Sequence, residues 1–279
     1  MKKILSVVLV VGLCLLLVGG GLFVGALAAA GWDIKTFSNI KIEEKRFEES
    51  ADEKIESLEI DFENAKIELS FRADCEFVAV DYPQIQNGKG KNASEITLSQ
   101  TDGHLTISEK ITWQGRFALW NFSEPKVTVT LPADGGYAVV LSTDNGNITV
   151  NGSGRLASLK METDNGNIST TDAELVCEGD MQAETDNGNV RLGTLTAQTV
   201  TAATDVGNIE TEGILTAARI DLSSEVGNVE AHLAGKREDY AIEIECGLGK
   251  ANLDPRTGGE KLLRAETSIG NIEITFSEE

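Results

Sequence analysis

From Leu58 onward, apolar and polar residues alternate with a period of two. Leu58, Ile60 and Phe62 are separated by Glu59 and Asp61, and Ile67 and Leu69 resume the alternation after Asn64-Ala65-Lys66. This period puts successive side chains on opposite faces of a strand, one toward core and one toward water. Runs at Phe77 to Val80, Ile96 to Leu98, Leu105 to Ile107 and Val127 to Leu131 continue it, with turn chemistry at Asn87-Gly88 and Asp102-Gly103. No amphipathic helical pattern intervenes, so the expected fold class is all-β.

The C-terminal half repeats itself. Gly146, Gly166, Gly188, Gly207, Gly227, Gly249 and Gly270 are 20, 22, 19, 20, 22 and 21 residues apart. Seven and five residues before each glycine stand apolar pairs: Val139 and Leu141, Leu159 and Met161, Met181 and Ala183, Val200 and Ala202, Ile220 and Leu222, Ile242 and Ile244, Leu263 and Ala265. Two residues after it come Ile148, Ile168, Val190, Ile209, Val229, Ala251 and Ile272. Such a repeat predicts a solenoid in which each coil buries little alone and the stack shares one core.

Asn-Gly between alternating apolar residues is also a hairpin signal. Val206, Val226, Leu248 and Ile269 precede the later glycines, however, and a type I′ turn would force them to positive φ, which β-branched residues resist. A corner at which only the glycine takes positive φ is the better expectation. At about 3.3 Å per residue, a coil of this length has a circumference near 65 Å, enough for one layer of inward side chains. The predicted architecture is a single-stranded parallel β-helix (β-solenoid) with about seven regular C-terminal rungs.

The N-terminus differs. From Ile4 to Trp32 there is no charged residue, after Met1-Lys2-Lys3. That run exceeds a secretory h-region of about 7 to 15 residues and is long enough to cross a bilayer, so an uncleaved transmembrane helix is expected over 4–32 behind a short cytoplasmic tail, 1–3. Cys14 follows the bulky Leu13, which spoils a lipobox. The basic N-terminus and its export-like character place the C-terminal domain outside the cell membrane. Residues 33–56, rich in Glu and Lys, read as a juxtamembrane spacer without strong helix or strand, leaving 57–279 as the β-domain.

The first 32 residues hold two lysines and no acid, so the remainder carries −23 against −21 for the whole chain. This excludes nucleic acid as a partner, since such a charge repels phosphate and attracts cations and basic proteins. Cys75, Cys177 and Cys246 have neither disulfide nor metal spacing and are expected to be single buried thiols.

Stacking the repeat makes three candidate features. The residue two before glycine gives a carboxylate column, Asp144, Asp164, Asp186, Asp205 and Glu225, lapsing at Gly247 and Ser268. At about 4.8 Å spacing these repel one another, which Ca²⁺ or a basic partner would relieve; local turn hydrogen bonding accounts for Asp and Asn equally well. The residue after glycine is Asn147, Asn167, Asn189, Asn208, Asn228 and Asn271, with Lys250 as the exception, which suits a stacked amide ladder. Trp113, Phe117, Trp120 and Phe122 cluster in a chain with 5% aromatics, either as a partner-docking loop or as a cap on the first rung.

No catalytic residue or metal ligand set emerges. A catalytic carboxylate pair needs two unlike environments, whereas here the same residue recurs rung after rung. His104 and His232 lie in no nucleophile, zinc or P-loop context.

The serial motif Ser142-Thr143-Asp144-Asn145-Gly146-Asn147-Ile148 and its relatives, Val127-Thr128-Val129-Thr130-Leu131-Pro132 ahead of them, and Tyr240 to Gly249 resemble the bacterial DUF4097 family, also called putative adhesin or toastrack-type β-repeat domains. The resemblance runs from about Leu58 to the end. It implies an exported or membrane-tethered β-solenoid linked to cell-envelope stress systems, with no catalytic residues to carry over. The expected function is a non-enzymatic envelope protein presenting an acidic solenoid to an envelope protein or glycan. A surface adhesin and a glycan-active β-helix enzyme are the alternatives.

Overall fold

The computed structural model describes residues 19–29, 31–32, 40–50, 54–87, 91–112 and 125–278. Their two-residue period folds into strands whose buried and exposed residues alternate, and the strands coil into three-sided rungs that stack in parallel. On the first side Tyr137–Asn145 pairs with the C-terminal part of Ile148–Asn165, followed by Asp180–Asn187, Thr199–Val206 and Arg219–Val226. On the second side Ile148, Ile168, Val190, Ile209 and Val229 form one column. On the third, Leu175, Leu195, Leu215 and Leu233 form another.

All nine of those second- and third-side residues are 0–2% exposed. Each buried aliphatic side chain of this size contributes about 2 kcal/mol through removal from water, so the columns account for much of the cohesion between rungs. The leucine column was not apparent from the glycine-centred repeat, because the third side lies at a variable distance from the corner.

The solenoid is longer than the regular repeat. Ser57–Phe62 pairs with Tyr137–Asn145, and Lys66–Arg72 with Ile148–Asn165, so residues 57–72 form a rung ahead of the first glycine, with Ala65 at its corner. His104–Ile111 and Lys126–Pro132 form another rung outside that one. Beyond it the pairing turns antiparallel. Ser94–Thr101 joins His104–Ile111 through Asp102 and Gly103, both at positive φ, the signature of a two-residue hairpin turn.

The spacer reading of 33–56 is corrected over Ile40–Glu48. That segment is a strand, antiparallel to Ala79–Asn87, which in turn pairs with Lys126–Pro132. Its sequence hides the strand because an edge strand with one solvated face can be rich in Glu and Lys. The buried Glu49 carboxylate anchors its end, accepting hydrogen bonds from the backbone N–H of Ile55 at 2.6 Å and of Val78 at 2.8 Å.

Rung order departs from chain order at the C-terminal end as well. Lys261–Ile269 inserts between Arg219–Val226 and Tyr240–Leu248, so the sixth repeat is the outermost rung and the seventh lies inside it. Ile244 is consequently only partly buried and Ala251 is exposed, against the expectation that both are core, because no further rung covers them.

Positive φ is not the reason common to the corner glycines. Gly146, Gly166, Gly188 and Gly207 have no positive φ, and Gly227, Gly249 and Gly270 sit at 156–159°, outside the compact left-handed well. The cause is proximity. A Cβ on Gly166, Gly188, Gly207, Gly227 or Gly270 would overlap the carbonyl oxygen of the corner glycine one rung back.

Residues 4–18 of the expected membrane span lie outside the described residues. The helix present covers 19–29, and among the described residues no helix is long and apolar enough to cross a membrane.

Gly207→Ala is expected to lower stability by about 3 kcal/mol or to prevent folding, since rung separation must increase to admit one methyl group. Urea denaturation of the two proteins measures the difference. Equal midpoints would show that the corner can yield.

Candidate functional site: the glycine corner and the open end

The corner is built from three hydrogen-bonded columns. Three residues before the glycine a buried hydroxyl reaches back one rung in most repeats: Thr143 donates to the Ala65 carbonyl at 3.1 Å, Thr163 to Gly146 at 3.0 Å, Thr185 to Gly166 at 2.9 Å, Thr204 to Gly188 at 2.9 Å, Ser224 to Gly207 at 2.9 Å and Thr267 to Gly227 at 2.8 Å, while before Gly249 the thiol of Cys246 lies 3.5 Å from the Gly270 carbonyl. Burial makes these bonds necessary, because an unpaired hydroxyl or carbonyl inside would carry its full desolvation cost. The repeated Thr of the motif was the available signal for this column.

After the glycine, each asparagine side-chain oxygen accepts the backbone N–H of its successor in the next rung: the Asn208 N–H donates to Asn189 Oδ1 at 2.8 Å and the Asn228 N–H to Asn208 Oδ1 at 2.8 Å. This differs from a simple amide stack. Side chain to side chain amide bonding is clearer one position before the glycine, where Asn165 donates to Asn145 at 3.2 Å and Asn187 to Asn165 at 3.4 Å.

Asp144, Asp164, Asp186, Asp205 and Glu225 do align along the outside of this corner, all exposed. The column starts one rung earlier than the repeat indicates, because Glu63 stands opposite Asp144. Nearby, burial and the charges of Asp144, Glu59 and Glu63 hold Asp61 above the ordinary carboxylate range. Among the described residues no group of three or more His, Cys, Asp or Glu is arranged to hold a metal.

The position immediately before glycine changes character along the stack. Asn145, Asn165 and Asn187 occupy the first regular rungs; Val206, Val226, Ile269 and Leu248 follow in spatial order, with exposures of 52, 44, 49 and 70%. An exposed aliphatic ridge therefore runs to the C-terminal end, flanked at first by Asp205 and Glu225 and then by Ser268 and Gly247. This column was visible in the sequence only as an argument against hairpins.

Other reactive groups are dispersed. Ser57 Oγ lies 2.7 Å from His104 Nδ1, with Glu59 3.6 Å from His104 Nε2, but these are cross-strand neighbours on an open sheet face, the His and Glu side chains being 49% and 47% exposed. Among the described residues nothing there excludes water or supplies oxyanion donors. His232 Nδ1 is 2.8 Å from the Thr275 hydroxyl, in a different part of the stack. Among the described cysteines Cys177 is buried, its thiol pushed up to about 12 by burial, while Cys75 and Cys246 are partly exposed, correcting the expectation for those two. Trp113, Phe117, Trp120 and Phe122 lie outside the described residues.

Glu109, two residues beyond the core residue Ile107, is 5% exposed, its carboxyl group lying beside the Ser94 side chain and the Asn64 backbone. Burial first, then the charge of Glu63, pushes it up to about 7.

Together these features define a parallel β-solenoid whose long acidic corner passes into an apolar ridge at one end. The chain belongs to the Toastrack DUF4097 family, whose profile matches residues 55–279. Among solved structures, a putative adhesin from Bacteroides fragilis shares 17% identity, covering 85% of this chain and 97% of its own, with a TM-score of 0.53; at that identity the likeness establishes the fold. A putative cell adhesion protein from Clostridium sporogenes shares 14% over 85% and 100% of the two chains, with a TM-score of 0.35. A putative lipid binding protein from Parabacteroides distasonis shares 12% over 85% and 97%, at 0.32. No curated protein sequence matches the chain.

Two tests follow from the corner and from Glu109. Thr204→Val retains shape but removes the donor to the Gly188 carbonyl, and should cost about 1–2 kcal/mol in urea denaturation. For Glu109 the folded value of about 7 exceeds the ordinary 4.5, so the folded state holds a proton that the unfolded chain releases. Its contribution is fully present below 4.5, declines as pH rises toward 7 and is lost above that, amounting to about 3 kcal/mol. Glu109→Gln should flatten this part of the stability profile; an unchanged slope would place the titration elsewhere.

Proposed function

We propose that this protein is a non-enzymatic envelope protein, anchored through residues 4–32, that presents its acidic β-solenoid outside the cell membrane for binding or scaffolding. Its role would be to modulate envelope stress sensing by engaging an envelope protein or glycan. The observation that carries the reading is the repetition of the exposed corner. The same side chains recur from rung to rung, as suits an extended contact surface, whereas catalysis needs a few groups in unlike environments. Membership of the Toastrack family supports a surface or binding role. The Bacteroides fragilis structure, described as a putative adhesin, favours a surface adhesin as the second reading.

Photo-crosslinkers at positions 205 and 225 of the full chain, in the cells that make it, should yield a discrete adduct that a crosslinker at position 160 does not. The purified protein should leave envelope polysaccharides uncleaved. Cleavage abolished by Glu243→Gln or Glu245→Gln would replace the binding reading with the glycan-active one.

A further inference from the structure

The outermost C-terminal rung is only half closed. Tyr240–Leu248 pairs on one side with Lys261–Ile269, and no strand among the described residues pairs with its other side. The outer side is closed only at Ile242, which exchanges both backbone bonds with Arg256, at 2.8 and 2.9 Å. The Arg256 guanidinium fastens this closure by donating to the carbonyls of Glu238, Tyr240 and Gly258 at 2.8–2.9 Å.

In a parallel strand a residue's N–H and C=O point to the same side, and the direction alternates along the chain. Because Ile242 points outward, Ile244 and Cys246 present their N–H and C=O groups to the same open edge. Their side chains belong to the core face yet stay partly exposed, unlike the equivalent residues of inner rungs, such as Leu222 and Ala265 at 1% and 0%. On the outer face, Glu243 and Glu245 are exposed and form no ion pair among the described residues, while the adjacent Arg264 is taken by Glu266 at 3.1 Å. The aliphatic ridge ends at this strand on Leu248, 70% exposed.

We propose that this edge receives an extended segment of a partner protein, added as one more strand, in which aliphatic residues alternate with lysine or arginine. The inference rests on the binding reading above and names its partner chemistry. Backbone pairing would satisfy Ile244 and Cys246. The incoming aliphatic side chains would cover Ile244, Cys246 and Leu248 and lengthen the ridge, and the intervening basic ones would meet Glu243 and Glu245. Strand addition of this kind draws affinity from main-chain bonds and specificity from alternate side chains. A second copy pairing through the same edge is disfavoured, since antiparallel self-pairing would set Glu243 and Glu245 against one another.

The test uses the full chain and a short synthetic peptide alternating lysine and valine, compared with one alternating glutamate and valine, by fluorescence anisotropy. The lysine peptide should bind at least roughly tenfold more tightly, with the preference reduced by salt. It should also slow amide exchange at Ile244 and Cys246. Glu243→Lys with Glu245→Lys should reverse the preference, a gain of binding that a misfolded protein could not show. Cys246→Pro should weaken both peptides more than Cys246→Ala does, because both variants lose the thiol contact to the Gly270 carbonyl at 3.5 Å and only proline also removes the outward N–H.

Equal binding of the two peptides to the native chain would overturn the proposal, as would retained lysine preference in the doubly reversed variant. Protection of these amides in a dimer of the free protein would assign the edge to a second copy instead. Crosslinking from positions 205 and 225 is independent of this edge, so its outcome bears on the broader binding reading even if strand addition fails.

Discussion

The structure depends on how closely successive rungs approach at the glycine corner. There the Cα of one glycine lies against the carbonyl of the glycine behind it, leaving no room for Cβ. The same carbonyl accepts the buried Thr or Ser hydroxyl from the next rung, and the neighbouring Asn oxygen accepts that rung's backbone N–H. A shift of one residue along the strand would break all three contacts and turn the apolar residues outward. The corner thus sets the register, and the register aligns Ile148 with Ile168 and Leu195 with Leu215 as continuous core columns.

The ends follow another logic. A parallel stack must stop, and its last strand exposes unpaired backbone groups. At the N-terminal end the answer is antiparallel strands, one rich in Glu and Lys, around the rung formed by His104–Ile111 and Lys126–Pro132. At the C-terminal end the chain lays down its outermost rung before the one beneath it, so the final strand, Ile272–Phe276, is held inside the stack by Val229–Leu233. Closure by Arg256 reaches Ile242 and stops. The partial exposure of Ile244 and Cys246 and the exposure of Leu248 follow from that incomplete closure.

Much of the corner was legible because repetition reports local requirements. Thr, Asp, Asn and Gly recur wherever the same bend meets the same neighbour, and the apolar residues seven and five before glycine recur because each rung repeats one inward face. The reason for the glycine was not legible. A tight bend and a close backbone approach select the same residue, and only the position of the preceding carbonyl separates them. The strand Ile40–Glu48 was missed because its partner, Ala79–Asn87, is distant in sequence and its solvated face carries a spacer's composition. The burial of Glu109 was equally hidden, since it depends on which rung lies beside its carboxyl.

By itself the sequence determined the class of fold, the rung length, the inward face and the acidic outer corner, because each follows from spacing along the chain and the preference of apolar groups to leave water. Only the tertiary structure decided the order of the terminal rungs, the extra rungs before Gly146 and the open edge beside Leu248. These depend on which strands compete successfully for a neighbour's backbone. The sixth and seventh repeats present nearly the same pattern to Arg219–Val226, and their order emerges only when both are placed in the stack.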